Sequence, residues 1–266
     1  MKPPTITPGM RKDERRHRRE LCLVGAWLYE RRFVVATEGN FSLRIAPHRV
    51  LASPAGANKG LLNARDLVVT DLDGRRLRGR SGPSSELPMH LEIYRQRPDV
   101  RAICHAHPPV ATGFAVAGLP LDKALLAECV LDLGCIPVAP YATPGTRELG
   151  ETLRPFVAKY NAILLANHGV VTFGPDLLTA FFRMETTEQI ARVTLVTHLI
   201  GRQTLLTKAD VECLLASRLP PRSGRANPST RTRTGAPARE EEDPSRDRRE
   251  LDLRLSAALR DLHDRR

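Results

Sequence analysis

The stretch Ala102-Ile103-Cys104-His105-Ala106-His107 decides how this chain is read. On a β-strand, residues two apart share a face. Residues 100–106 read as such a strand, so His105 and His107 would stand side by side as two imidazoles, with Cys104 pointing the other way. A pair of this kind reads either as part of a metal site or as two partly exposed histidines at a strand end.

A third histidine lies further on. Asn167-His168-Gly169 follows the apolar run 162–166, where a strand must end and turn. Alone, His168 reads as a turn residue bonded to backbone. With His105 and His107 it completes three neutral nitrogen donors, the set that catalytic zinc takes while keeping one position open. The other five histidines lack this placement: His90 lies on a short helix, and His17, His48, His198 and His263 read as solvated or structural.

Two further features carry polar chemistry. Ser84-Ser85-Glu86 opens a helix read over 84–97. Free amides and two hydroxyls at a helix start suit a phosphate, and a carboxylate one residue later can reach a metal beside it. The plain alternative is that Ser84 or Ser85 caps the helix. Gly39-Asn40-Phe41-Ser42 and Ser53-Pro54-Ala55-Gly56 can each turn backbone amides toward an anion, or can be ordinary hairpin turns.

Around these points the hydrophobic pattern predicts a helix over 11–33, strands within 33–53 and 66–78, and a small apolar helix over 108–118. A strand near 136–141, a helix at 146–160, the strand 162–166, a long helix over 176–200 and a last helix at 207–216 follow. Mixed strands and helices with no GxGxxG turn point to a layered α/β or α+β domain on a mostly antiparallel or mixed sheet. The domain is expected to span 11–216. Residues 1–10 and 217–266 have compositions that cannot offset the entropy of folding, apart from a short helix allowed by leucine spacing in 247–264.

The net charge of the 266 residues is +11, which raises nucleic acid as a partner. Segments 1–20 and 217–266 each carry +4, however, leaving +3 for 21–216. The excess reads as two solvated arginine-rich ends, and nucleic acid is not expected as a partner. No apolar run approaches the ~20 residues of a membrane span, and the N-terminus has no apolar signal core. Five scattered cysteines, an odd number without a Cys-x-x-Cys pair, suggest reduced thiols in a cytoplasm.

Taken in order, these stretches resemble the class II aldolase/adducin family, and within it the zinc-dependent fuculose-phosphate aldolases. The matching segments are Glu38-Gly39-Asn40-Phe41-Ser42, Ser53-Pro54-Ala55-Gly56 and Ser84-Ser85-Glu86, then Arg97-Pro98-Asp99-Val100 leading into His105-Ala106-His107-Pro108. Ala139-Pro140-Tyr141-Ala142-Thr143-Pro144-Gly145-Thr146, Asn167-His168-Gly169 and a helix carrying Glu185 and Glu188 complete them, over about residues 20–205.

The resemblance implies a single α/β domain with a central antiparallel sheet flanked by helices on both faces, assembled as a homotetramer. It implies His105, His107 and His168 as zinc ligands, Glu86 as the carboxylate at the metal that serves as acid and base, and Gly39, Asn40, Ser84 and Ser85 as holders of a sugar phosphate. The implied reaction cleaves a phosphorylated ketose to dihydroxyacetone phosphate and an aldehyde through an enediolate that zinc stabilises. A 4-epimerase or dehydratase acting on a sugar phosphate would use the same site, though such epimerases tend to carry Asp where this chain has Glu86. A non-catalytic scaffold like the adducin head is the reading from another class.

The chain also departs from fuculose-phosphate aldolases. Ala55 stands where they have Thr, Leu126 falls about where they have a tyrosine donor, and no tyrosine follows Tyr160.

Overall fold

Strand β5, Ala102–Ala106, is buried along its whole length, and its alternation defines the two faces of the molecule. Ala102, Cys104 and Ala106 pack into one apolar cluster, while Ile103 belongs to a second. His105 therefore shares the Ile103 face, and Cys104 points away from it.

The computed structural model describes residues 8–217. Its sheet has eight strands: β1 Asn40–Ala46, β2 Arg49–Ala52, β3 Val68–Thr70, β4 Arg76–Arg78, β5, β6 Val138–Ala139, β7 Ala162–Leu165 and β8 Gly169–Gly174. They lie in the order β4-β3-β2-β1-β5-β8-β7-β6. Every pairing is antiparallel except β6 with β7. Strand β5 is thus an interior strand, with Asn40 opposite His105 on one side and Val171 opposite it on the other.

Helices cover both faces. On the Cys104 face lie α1 (Pro8–Glu30), α3 (Pro109–Ala117), α4 (Ala127–Asp132) and α6 (Leu177–Ile200). Leu21, Val24 and Leu28 give α1 one buried stripe at helical spacing. Asp176 caps α6 by accepting from the Thr179 amide at 2.8 Å, and Gly201 ends it in the left-handed region. On the Ile103 face lie α2 (Leu87–Gln96) and α5 (Arg147–Val157), which bury Leu87, Leu91, Ile93, Leu149 and Leu153 against Val171 and Phe173. Each fully buried Leu, Ile or Phe contributes roughly 1.5–3 kcal/mol. The architecture is a mixed α/β fold with an open, mostly antiparallel sheet between helices.

The chain divides into two compact units after Leu205. In the second, α7 (Lys208–Ser217) is capped by Thr207, whose hydroxyl accepts from the Asp210 amide at 3.2 Å while Asp210 accepts from the Thr207 amide at 2.8 Å.

The structure corrects several expectations. Helix α1 begins at Pro8, inside the segment 1–10 given to disorder on composition. Helix α2 begins at Leu87, so Glu86 occupies its N-cap position and neither serine caps it. Ser84 Oγ instead accepts from the Glu86 amide at 3.3 Å. Strand β8 and helix α4 were not foreseen, and the strand near 136–141 shrinks to two residues. Residues 218–266, with the helix expected at 247–264, lie outside the described residues.

Candidate metal centre

Three pieces of backbone converge on one end of the sheet. His105 is the fourth residue of β5, and His107 lies just past its end, where its amide donates to Phe33 O at 2.8 Å. His168 sits at the tip of the hairpin that closes with Leu165 opposite Gly169. Asn167 takes a positive φ of 55° there, a conformation Asn tolerates better than most residues. Helix α2 then brings Glu86 over the cluster from the Ile103 face.

The three imidazoles stand with ring centroids 4.7–5.1 Å apart. One ligand atom from each of His105, His107 and His168 lies within 4.8 Å of the others, so the three can hold a metal ion. His105 is fully buried, with Nδ1 2.9 Å from Val170 O. A carbonyl only accepts, so Nδ1 carries a proton, and in the neutral ring Nε2 keeps its lone pair. His107 Nδ1 faces Glu38 Oε2 at 3.0 Å, which fixes the same tautomer.

The two Nε2 atoms therefore confront each other at 3.2 Å. In the neutral rings two lone pairs meet at that distance, and a proton or a metal ion between them makes the contact favourable. Tetrahedral zinc with Zn–N of about 2.0–2.1 Å spaces its ligand nitrogens about 3.3–3.4 Å apart. His168 adds a nitrogen at Nε2, and its buried Nδ1 has no protein partner. The donor set fits a divalent ion that favours imidazole.

Glu86 closes the cluster. Its Oε2 lies 3.2 Å from His105 Nε2 and accepts from Asn40 Nδ2 at 2.6 Å, and its Oε1 lies 3.0 Å from His168 Nε2. Burial works to raise this carboxyl, but His105 and His168 override it and hold the group well below the usual carboxylate range. Burial above all lowers His107 to about 4, which favours the neutral form a metal requires.

The other residues singled out in the sequence come together here too. Ser53 joins two turns, its amide donating to Phe41 O at 3.0 Å and its Oγ accepting from the Phe41 amide at 3.2 Å. The Ser84 amide donates to Ser53 O at 3.2 Å, and the Ala55 amide to Gly82 O at 3.0 Å. Gly39, Asn40, Ser84 and Ser85 thus lie in segments stitched to one another beside Glu86.

Sequence reasoning missed three residues. Glu38 orients His107. His90, four residues after Glu86 on α2, is buried with Nδ1 2.8 Å from Ser42 Oγ; its i,i+4 spacing from Glu86 was the available signal. Burial pushes it down to about 3. Lys59 is 2% exposed, and nothing in the sequence marks it as buried. A cleft of about 820 Å³ is lined by Phe33, Leu126 and Glu188, among others. Glu188 there accepts from the Val110 and Ala111 amides at the start of α3.

Gly169 leaves room for the centre. A Cβ at this position would lie 2.4 Å from His107 Cδ2 and 2.7 Å from Ala106 O. Gly169→Ala is expected to displace the His107 ring, costing about 1–3 kcal/mol of stability and about 10–100-fold in zinc affinity. A thermal melt and a chelator competition check both.

Comparison with known proteins agrees with this geometry. Residues 19–195 match the family profile of the Class II Aldolase and Adducin N-terminal domain. The chain is 36% identical over 191 residues to a 3-oxo-tetronate 4-phosphate decarboxylase of Pectobacterium atrosepticum, covering 70% of this chain and 87% of that one. It is 38% identical over 169 residues to an L-fuculose phosphate aldolase of Methanococcus vannielii, covering 62% and 88%. A solved structure of an L-fuculose 1-phosphate aldolase superimposes with a TM-score of 0.70 at 32% identity, covering 75% of this chain and 94% of that one. No helix among the described residues is long and apolar enough to cross a membrane. With its histidine cluster, its sheet and its ordered motifs in agreement, the chain belongs to the class II aldolase and adducin family.

Proposed function

We propose that the protein is a zinc-dependent lyase that cleaves a phosphorylated ketose, of the fuculose-phosphate type, to dihydroxyacetone phosphate and an aldehyde. The observation that carries this reading is the convergence of His105, His107 and His168, with two Nε2 atoms 3.2 Å apart, under the Glu86 carboxylate. Breaking a carbon–carbon bond beside a carbonyl leaves an electron pair on carbon. A divalent ion bound by His105, His107 and His168 would supply Lewis acidity toward the carbonyl.

The remaining work falls to the chain. Glu86 moves the proton on the ketose-phosphate carbon, with Asn40 fixing its orientation through the 2.6 Å hydrogen bond. Gly39, Asn40, Ser84 and Ser85 hold the phosphate, so binding energy far from the broken bond aligns the reacting carbons. The family's tetrameric assembly is carried over as part of this proposal, and exposed Phe182, Leu199 and Ile200 on α6 are consistent with it.

A second reading is favoured by one position. Leu126, which lines the cleft with Phe33 and Glu188, falls about where fuculose-phosphate aldolases have a tyrosine. Release of an aldehyde needs a proton relay at the departing oxygen. Loss of carbon dioxide from a 3-oxo acid needs none, so a decarboxylase acting on a phosphorylated 3-oxo acid suits an apolar residue there. Product analysis by NMR on the zinc-loaded protein separates the two. Two carbon fragments from a ketose 1-phosphate support the aldolase, and carbon dioxide from a 3-oxo acid phosphate replaces it. An inverted carbon or loss of water would instead assign the epimerase or dehydratase chemistry.

A further inference from the structure

Lys59 is a buried cation that the proposed reaction does not use. It opens a short 3-10 turn, Lys59–Leu61, whose start is fixed by the Asn58 side chain accepting from the Gly60 amide at 2.9 Å. The turn lies hard against α1: a Cβ on Gly25 would come within 2.5 Å of Lys59 O. Lys59 Nζ donates to Thr37 O at 2.8 Å and to Ala57 O at 2.6 Å.

Those two carbonyls belong to different turns. Thr37 precedes Glu38-Gly39-Asn40, and Ala57 follows Ser53-Pro54-Ala55-Gly56. The ammonium therefore ties the turns together from inside. Two carbonyl dipoles do not neutralise a unit charge, and a buried cation without a counter-charge is costly. Lys59 makes no ion pair among the described residues. Burial pulls it down to about 8, with the charge of Glu86 opposing, so it stays mostly protonated at neutral pH. Glu86 itself is committed to His105, His168 and Asn40. An ammonium has three donors, and one remains after the two carbonyls.

The neighbouring segments 37–42, 53–57 and 82–86 contain no Lys or Arg. Their amides and hydroxyls are neutral donors, and Ala55 offers no hydroxyl. We infer that Lys59 is the positioning residue of the substrate's anion pocket: its ammonium sets the spacing of the two turns and supplies the positive potential that draws a phosphate between them. This rests on the reading that these turns hold the phosphate.

The test uses the full-length, zinc-loaded protein and inorganic phosphate as probe. Lys59→Met is expected to weaken phosphate binding, read by calorimetry, at least about tenfold. Zinc stoichiometry and the affinity for unphosphorylated dihydroxyacetone should stay as in wild type. Lys59→Arg, which keeps the charge, should recover phosphate binding. Unchanged phosphate affinity in Lys59→Met overturns the inference, and so does equal weakening of both ligands. If Lys59→Met does not fold, the 15N resonance of Lys59 Nζ in the wild-type protein decides. It should move with phosphate and not with dihydroxyacetone, and a resonance that phosphate leaves in place overturns the assignment. A protein whose phosphate binding depends on Lys59, yet which cleaves no phosphorylated ketose, supports the inference while defeating the proposed reaction.

Discussion

The double variant His105→Ala/His107→Ala is expected to fold, to bind no stoichiometric zinc and to lose turnover by on the order of a thousandfold or more. Lewis-acid stabilisation is worth several kcal/mol, and each ~1.4 kcal/mol is a factor of ten in rate. The two imidazoles are the part of the centre whose lone pairs are most firmly aimed, because Val170 O and the Glu38 carboxylate fix both Nδ1 protons. The fold should survive, since the β5 ladder to β1 and β8 is made by backbone. Metal analysis after dialysis is the measurement. Full zinc occupancy in the double variant would show that the ion sits elsewhere.

Glu86→Gln should be the second most damaging change, for a different reason. The amide is isosteric and can still meet Asn40, so the cluster keeps its shape. It cannot take up a proton. General acid–base catalysis is worth roughly 10²–10⁴-fold, and that is the expected fall in kcat, with zinc retained. A direct readout is exchange of the carbon-bound proton of dihydroxyacetone phosphate with heavy water. Wild type should catalyse it and Glu86→Gln should not. Exchange at the wild-type rate in the variant would sink the assignment of Glu86 as the base.

The centre was more legible in the sequence than the fold around it. Strand periodicity puts His105 and His107 on one face and the end of an apolar run puts His168 in a turn, and only the three together, with the resemblance, point to one centre. Strand β8 was harder. Gly169–Gly174 is six residues, buried on both faces, and such a run carries no alternation to mark it as a strand. The start of α2 was misjudged because serines are good caps in general. Here the Ser84 amide is bonded to Ser53 O on another segment, which holds the serines outside the helix. Lys59 was invisible because its burial depends on Thr37 and Ala57 carbonyls brought together by tertiary structure.

The hairpin that carries His168 also bears on when the site can exist. His105 and His168 are 63 residues apart, and α3, α4, β6, α5 and β7 are threaded between them. Closing so long a loop is entropically slow, and it must precede any contact between the two rings. In a zinc finger the ion gathers nearby ligands and drives folding. In this chain the reverse order is expected, the sheet assembling before an ion can find its ligands. An ion held there would be a late guest in a finished framework, and removing it with a chelator and returning it should be a reversible exchange that leaves the framework standing.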